Sequence, residues 1–219
     1  MLLSSALHTE GEHPFVVAGR AGDIETRLTI PPNAKESHLA LIGHPHSLQG
    51  GTMNNKVVTT MMRAFKELGI PSLRFNFRGV GESEGQYDAG VGESEDMLLL
   101  MRHWQQERPD TQFIFAGFSF GSYVAYRAAA QCKNELLITI APPVHHYDYK
   151  EFAAPTPWLI VQGDSDEVVP MSLVLDFAEE FSPSLPVVCF PDTSHFFHGK
   201  LLELKNSLIE EVSARISLQ

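Results

Sequence analysis

Q-F-I-F-A-G-F-S-F-G-S-Y-V-A-Y-R-A-A-A, residues 112–130, is the stretch from which the rest of the chain is read. Its first part, residues 113–116, is a short apolar run of the kind that forms a strand buried on both faces. From Phe120 onward, apolar and small residues recur at helical spacing and end in an alanine cluster, which predicts a helix. Between them lies Gly117-Phe118-Ser119-Phe120-Gly121, a G-x-S-x-G. A serine at a sharp strand-to-helix turn is held in an unfavourable backbone conformation that lifts its hydroxyl above the sheet. Residues two before and two after it approach neighbouring backbone, where glycine leaves room. The helix then aims unpaired N–H groups and its positive end at the serine oxygen, where negative charge would develop in a reaction. Ser119 is thus a candidate nucleophile, and an ordinary strand-to-helix loop is the competing reading.

Outward from this unit the same alternation recurs. Residues 15–18 and 24–30 read as an antiparallel hairpin turning at Gly19 to Asp23. Strands are expected at 38–42, 72–77, 136–140, 158–161 and 187–190, and helices at 54–68, 92–106, 173–181 and 199–216. Gly69 suits the cap that ends the first of these helices. The polar and aromatic stretch 144–154 shows no helical period. Strands that are continuous apolar runs separated by helices imply a mostly parallel sheet of about eight strands covered on both faces. No linker or internal repeat divides the chain, so one α/β domain is expected over residues 1–219.

Composition narrows the functional classes. The 219 residues are 43% hydrophobic and 20% charged, as in soluble globular proteins. The net charge of −11, with no basic run, argues against nucleic acid as a partner. No segment has the length to span a membrane, and residues 1–13 lack the features of a signal peptide. The two cysteines, Cys132 and Cys189, form no C-x-x-C pair and read as core or near-core thiols. A reducing, cytoplasmic location is the expectation. Histidines at 44, 46, 145, 146, 195 and 198 lack metal-ligand spacing, so neither a metal nor another cofactor is implied. No exposed apolar stripe marks a subunit interface.

In a doubly wound sheet, groups just past the strand C-termini converge on one edge. Ser119 is one. Gly163-Asp164-Ser165-Asp166-Glu167-Val168-Val169-Pro170 follows the next-to-last strand and carries two acids, and His195 follows the last. Serine, aspartate, histidine is the chain order of α/β-hydrolases and of neither other familiar triad fold. With G-x-S-x-G, G-x-x-D-x-x-V-P at 163–170, His195, and R-G-x-G-x-S at 78–83, the sequence resembles an α/β-hydrolase from about residue 15 to 217. In particular it resembles the small lidless bacterial members related to dienelactone hydrolases and serine aminopeptidase-type proteins.

That resemblance implies Ser119 as nucleophile, His195 as general base and Asp166, in preference to Asp164, as the acid that orients the imidazole. It also implies an oxyanion hole built from backbone N–H groups. Phe120 would supply one. The other would come from the loop after the first parallel strand, where Pro45 has no N–H and His46 is the choice, with Ser47 and Leu48 as alternatives. Residues 141–155 are too few for a helical cap, so the expected site is open and shallow, bordered by His44, His46, Leu48, Val144, His145, Phe196 and Phe197. His198 is read as a bystander. Arg78-Gly79-Val80-Gly81-Glu82-Ser83-Glu84-Gly85 fails the dinucleotide spacing because Glu84 stands where glycine is required, so it reads as a structural turn with Arg78 paired to Glu82, Glu93 or Asp96. The expected activity is hydrolysis of small-acyl esters or thioesters. The alternatives are a peptidase on the same three residues and a non-catalytic binding protein of the same fold.

Overall fold

The computed structural model describes residues 9–217. The reading of the first residues as lacking a leader therefore falls, for residues 1–8, outside the described part. Eight strands and five α-helices follow in the order β1 Gly11–Ala18, β2 Asp23–Ile30, β3 His38–Gly43, α1 Lys56–Glu67, β4 Ser72–Phe75, α2 Val91–Glu107, β5 Gln112–Phe118, α3 Phe120–Ala129, β6 Leu136–Ile140, β7 Trp158–Gly163, α4 Met171–Glu179, β8 Val187–Phe190 and α5 Leu201–Arg215. One sheet has the strand order β1-β2-β4-β3-β5-β6-β7-β8. β2 pairs antiparallel with both β1 and β4, and every pair from β4 to β8 is parallel.

Period-two alternation sorts the strand side chains onto two faces. Phe113, Phe115, Leu137, Trp158 and Ile160 pack with α2, α3 and α4. Ile114, Ala116, Phe118, Ile138, Ile140, Leu159 and Val161 pack with α1 and α5. Each fully buried side chain of this kind contributes about 1.5–3 kcal/mol. The two cores hold the central strands rigidly and therefore fix where their C-terminal ends lie.

Two boundaries differ informatively from expectation. β1 begins at Gly11, not residue 15, because an edge strand pairs on one side only and needs no continuous apolar run; its exposed Pro14, opposite Arg27 of β2, sits on an edge strand, where proline is tolerated. β5 runs to Phe118, so strand geometry reaches the residue before Ser119. At the end of α1, Gly69 adopts φ 77°, the left-handed cap conformation its position suggested. Cys132 is half-buried, but Cys189 is exposed, because β8 is an edge strand with one side unpaired. It is not the core thiol that its apolar neighbours implied.

Candidate active site

The turn between β5 and α3 is built as the pentapeptide requires. Ser119 sits at φ 53°, ψ −124°, a region costly for a residue with a side chain, and its N–H donates to the Ile140 carbonyl at 2.9 Å. A Cβ on Gly117 would lie 2.0 Å from the Gly121 carbonyl oxygen. One on Gly121 would lie 2.5 Å from Gly43 backbone at the end of β3. Bare backbone at these two positions lets α3 start directly over β3 and β5. The loop after β3 is thereby brought beside Phe120, whose ring lies 5.1 Å from that of His46.

The loops after β7 and β8 are stitched together in the same manner. Asp164 N–H donates to the Phe190 carbonyl at 3.1 Å and Ser165 N–H to the Thr193 carbonyl at 3.2 Å. A Cβ on Gly163 would meet the Thr193 carbonyl oxygen at 2.2 Å. This close approach carries Asp166 to His195. The Asp166 Oδ2 lies 2.8 Å from His195 Nδ1, and His195 Nε2 lies 3.1 Å from the Ser119 hydroxyl. Asp166, His195 and Ser119 are therefore hydrogen-bonded in a line.

Asp166 is buried, which by itself opposes ionisation. Its bond with His195, N–H donation from Val169 and Val168, and the neighbouring imidazole outweigh that cost and hold its pKa below the ordinary carboxylate value. An ionised Asp166 takes the Nδ1 proton of His195 as its hydrogen bond and leaves Nε2 as the acceptor facing the serine. Gln162, at the end of β7, donates to Asp166 Oδ2 at 3.1 Å and to the Val169 carbonyl at 2.8 Å, fixing the acid loop from below. Asp164 is exposed and accepts from Ser165 and the Thr193 N–H, away from the imidazole. Asp166, not Asp164, is the histidine's partner.

The expected rim is partly redrawn. His44 is fully buried: its Nδ1–H donates to the Pro45 carbonyl at 2.7 Å, its Nε2 accepts the Phe77 N–H at 2.9 Å, and its ring stacks on Phe77 at 3.9 Å. It is an internal strut and borders nothing. Phe197 is also fully buried, packed on Phe190, because its φ of 54° turns the chain inward after the exposed Phe196. Phe196 stands edge-on to the His195 ring at 5.1 Å. Leu48 and His145 are exposed and Val144 half-buried, as a rim demands. His46 is half-buried, with its Nδ1 accepting the Leu48 N–H at 3.2 Å and its carbonyl accepting from Gln49 and Gly51. Burial lowers its pKa. Phe120, as the first residue of α3, has no carbonyl one helical turn back for its N–H.

Sequence reasoning missed an aromatic wall. Tyr87 lies 4.9 Å from His46 and 5.5 Å from Phe120, and Tyr147 lies 5.5 Å from Phe120. The tyrosines at 147 and 149 in the unpatterned stretch were the available signal. Arg78 is where the motif reading put it, bidentate on Asp96 at 2.7 and 3.0 Å, while Ser83 bonds the Asn76 carbonyl and the Glu25 N–H. That glycine-rich loop ties β4 to β2 and α2. Among the described residues, no three His, Cys, Asp or Glu side chains gather as a metal site, and no helix is long and apolar enough to cross a membrane.

No protein-family model matches the chain. An uncharacterized protein of Rickettsia prowazekii (strain Madrid E) is 36% identical over 204 residues, 87% of this chain and 84% of that one. A solved α/β serine hydrolase without lid from Xanthomonas campestris is 39% identical, with 96% of this chain and 97% of that one covered and a TM-score of 0.91. The chain belongs to the lidless α/β serine hydrolases. An α-β serine hydrolase homologue from Coxiella burnetii is 44% identical, with 91% of this chain and 97% of that one covered and a TM-score of 0.86. In this hydrolase the stretch between β6 and β7, where larger relatives carry a cap, holds turns and no helix.

Proposed function

We propose that this hydrolase cleaves carboxylic esters or thioesters of small acyl groups through an acyl-enzyme on Ser119. The observation that carries the reading is the hydrogen-bonded line from Asp166 through His195 to the hydroxyl of a serine held at positive φ. Ser119 Oγ attacks the acyl carbon as its proton passes to His195 Nε2. The carbonyl electron pair moves onto oxygen, where the N–H groups of Phe120 and His46 would receive it. Collapse expels the alcohol or thiol, which leaves with the proton from His195. A water then repeats the sequence with His195 as base and frees the acid and Ser119. Asp166 stays ionised throughout and stabilises the imidazolium. The chemistry requires no cofactor.

The surroundings support the preference for small acyl groups. Leu48 and Phe196 are 72% and 42% exposed, which supports an open site with little surface to enclose a long chain. Absence of paired cysteines among the described residues is compatible with a reducing, cytoplasmic setting. The test is a panel of esters and thioesters from acetyl to dodecanoyl. Turnover should peak among the short acyl groups and disappear in Ser119→Ala. Activity climbing steadily to dodecanoyl would contradict the open site, and turnover surviving in Ser119→Ala would move the nucleophile elsewhere.

A further inference from the structure

The geometry points to Ser122 and Tyr149 as positioning residues that set and polarise the oxyanion donor at Phe120. This rests on the acyl-enzyme reading above. The Ser119 carbonyl receives two hydrogen bonds from Ser122, one from its N–H at 2.9 Å and one from its hydroxyl at 2.5 Å. Because that hydroxyl proton is committed to the carbonyl, the 2.8 Å contact between Ser122 Oγ and Tyr149 Oη must have the tyrosine as donor. A directed chain results: Tyr149 O–H to Ser122 O–H to the Ser119 carbonyl.

The Ser119–Phe120 peptide is trans and planar, since the cis bonds of the described chain lie only at Thr156-Pro157 and Ser182-Pro183. In a trans amide the N–H points opposite to the C=O. Anchoring the Ser119 oxygen on one side therefore aims the Phe120 N–H on the other, toward the space above the serine hydroxyl. Hydrogen bonds donated to an amide oxygen also draw electron density from its nitrogen, which makes the N–H a stronger donor. A serine bonding back to a helix carbonyl is common and of little consequence elsewhere. Here the carbonyl belongs to the strained residue that bears the proposed nucleophile, and a second hydroxyl from a different loop is added behind it.

That second hydroxyl is held firmly. Tyr149 and Ser122 are 2% and 0% exposed. The Tyr149 ring packs against Tyr126 at 5.1 Å, Tyr123 at 5.4 Å and Phe177 at 5.7 Å. Burial pushes its phenol well above the ordinary value, so the hydroxyl keeps the proton it donates. The loop between β6 and β7, which carries no cap, thus acts on the site from beneath.

The experiment compares wild type, Tyr149→Phe and Ser122→Ala, each normalised to serine titrated to completion with a fluorophosphonate. Direct loss of an oxyanion donor costs about 10²–10³-fold in kcat, so loss of a group acting through it should cost about 10-fold. Tyr149→Phe and Ser122→Ala should lower kcat by about that factor with KM unchanged. Inhibition by a trifluoromethyl ketone, which forms the tetrahedral oxyanion, should weaken by the same factor, and the pH profile should not move. An active wild type whose variants keep full kcat and inhibitor affinity would overturn this inference alone. So would a fall in thermal midpoint with inhibitor affinity intact. A wild type with neither ester nor thioester turnover would overturn both this inference and the reading beneath it.

Discussion

Two imidazoles are buried at the C-terminal ends of parallel strands, His44 after β3 and His195 after β8, and their surroundings give them opposite uses. The nitrogens of His44 meet only backbone: one donates to the Pro45 carbonyl and the other accepts the Phe77 N–H. Protonation would set two N–H groups against each other, and burial holds its pKa down at about 4. His195 meets a carboxylate on one side and a hydroxyl on the other. Its second nitrogen faces a group that can surrender a proton, and its first faces an anion that welcomes the resulting charge. Burial alone does not make a histidine catalytic. What its two nitrogens touch separates the strut from the base of the proposed reaction.

The largest expected effect lies on the His195 side. Asp166→Asn leaves the shape of the loop but removes the charge that selects the productive tautomer, so kcat should fall by about 10²–10⁴-fold with the fold retained. Steady-state kinetics beside a thermal melt would check this, and a loss below 10-fold would break the contrast.

On the His44 side the effect should be on stability. His44→Phe keeps a ring against Phe77 but leaves that N–H and the Pro45 carbonyl unpaired, at a cost of about 2 kcal/mol near pH 8. Its pH dependence has a definite sign. The folded pKa of about 4 lies below the ordinary 6.5, so the unfolded chain takes up a proton that the folded chain refuses. Stability from His44 is complete above about 6.5 and declines as pH falls toward 4, by about 3 kcal/mol in all. His38, His46 and His145 are shifted the same way by burial and add to the wild-type slope. Only the difference between the two proteins isolates His44: the gap of about 2 kcal/mol at pH 8 should close at about pH 5 and reverse by about 1 kcal/mol at pH 4. Denaturant curves running parallel from pH 8 to 4 would contradict the strut. Turnover per labelled serine at pH 8 should stay within about 3-fold of wild type.

The smallest effect sharpens the comparison. Asp164→Asn, two residues from Asp166 but exposed, should change kcat by less than about 3-fold.

What could be read before the structure, and what could not, follows the same division. Chain order pointed to Ser119, His195 and the loop carrying Asp164 and Asp166 because a parallel sheet brings strand ends to one edge whatever the loops do between them, and the family resemblance chose Asp166. Loop side chains were harder. His44 and Phe197 have the right sequence positions for a rim, but a single backbone step decides which way each faces, and Phe197 turns inward through a positive φ that its identity does not announce. Gln162 was read as following an apolar strand. A polar residue closing W-L-I-V-Q-G was a legible sign that something there needed a donor. Tyr149 lay in a stretch without periodicity, and its value comes from Ser122, 27 positions away, a pairing that only three dimensions supply.

The most direct measurement is identification of the residue modified when a fluorophosphonate inactivates the enzyme. Intact mass should rise by one phosphonyl group, peptide mapping should place it on Ser119, and the rate of modification should collapse in a His195→Gln variant. An adduct on any other side chain, or labelling of Ser119 that proceeds equally fast without the imidazole, would contradict the account.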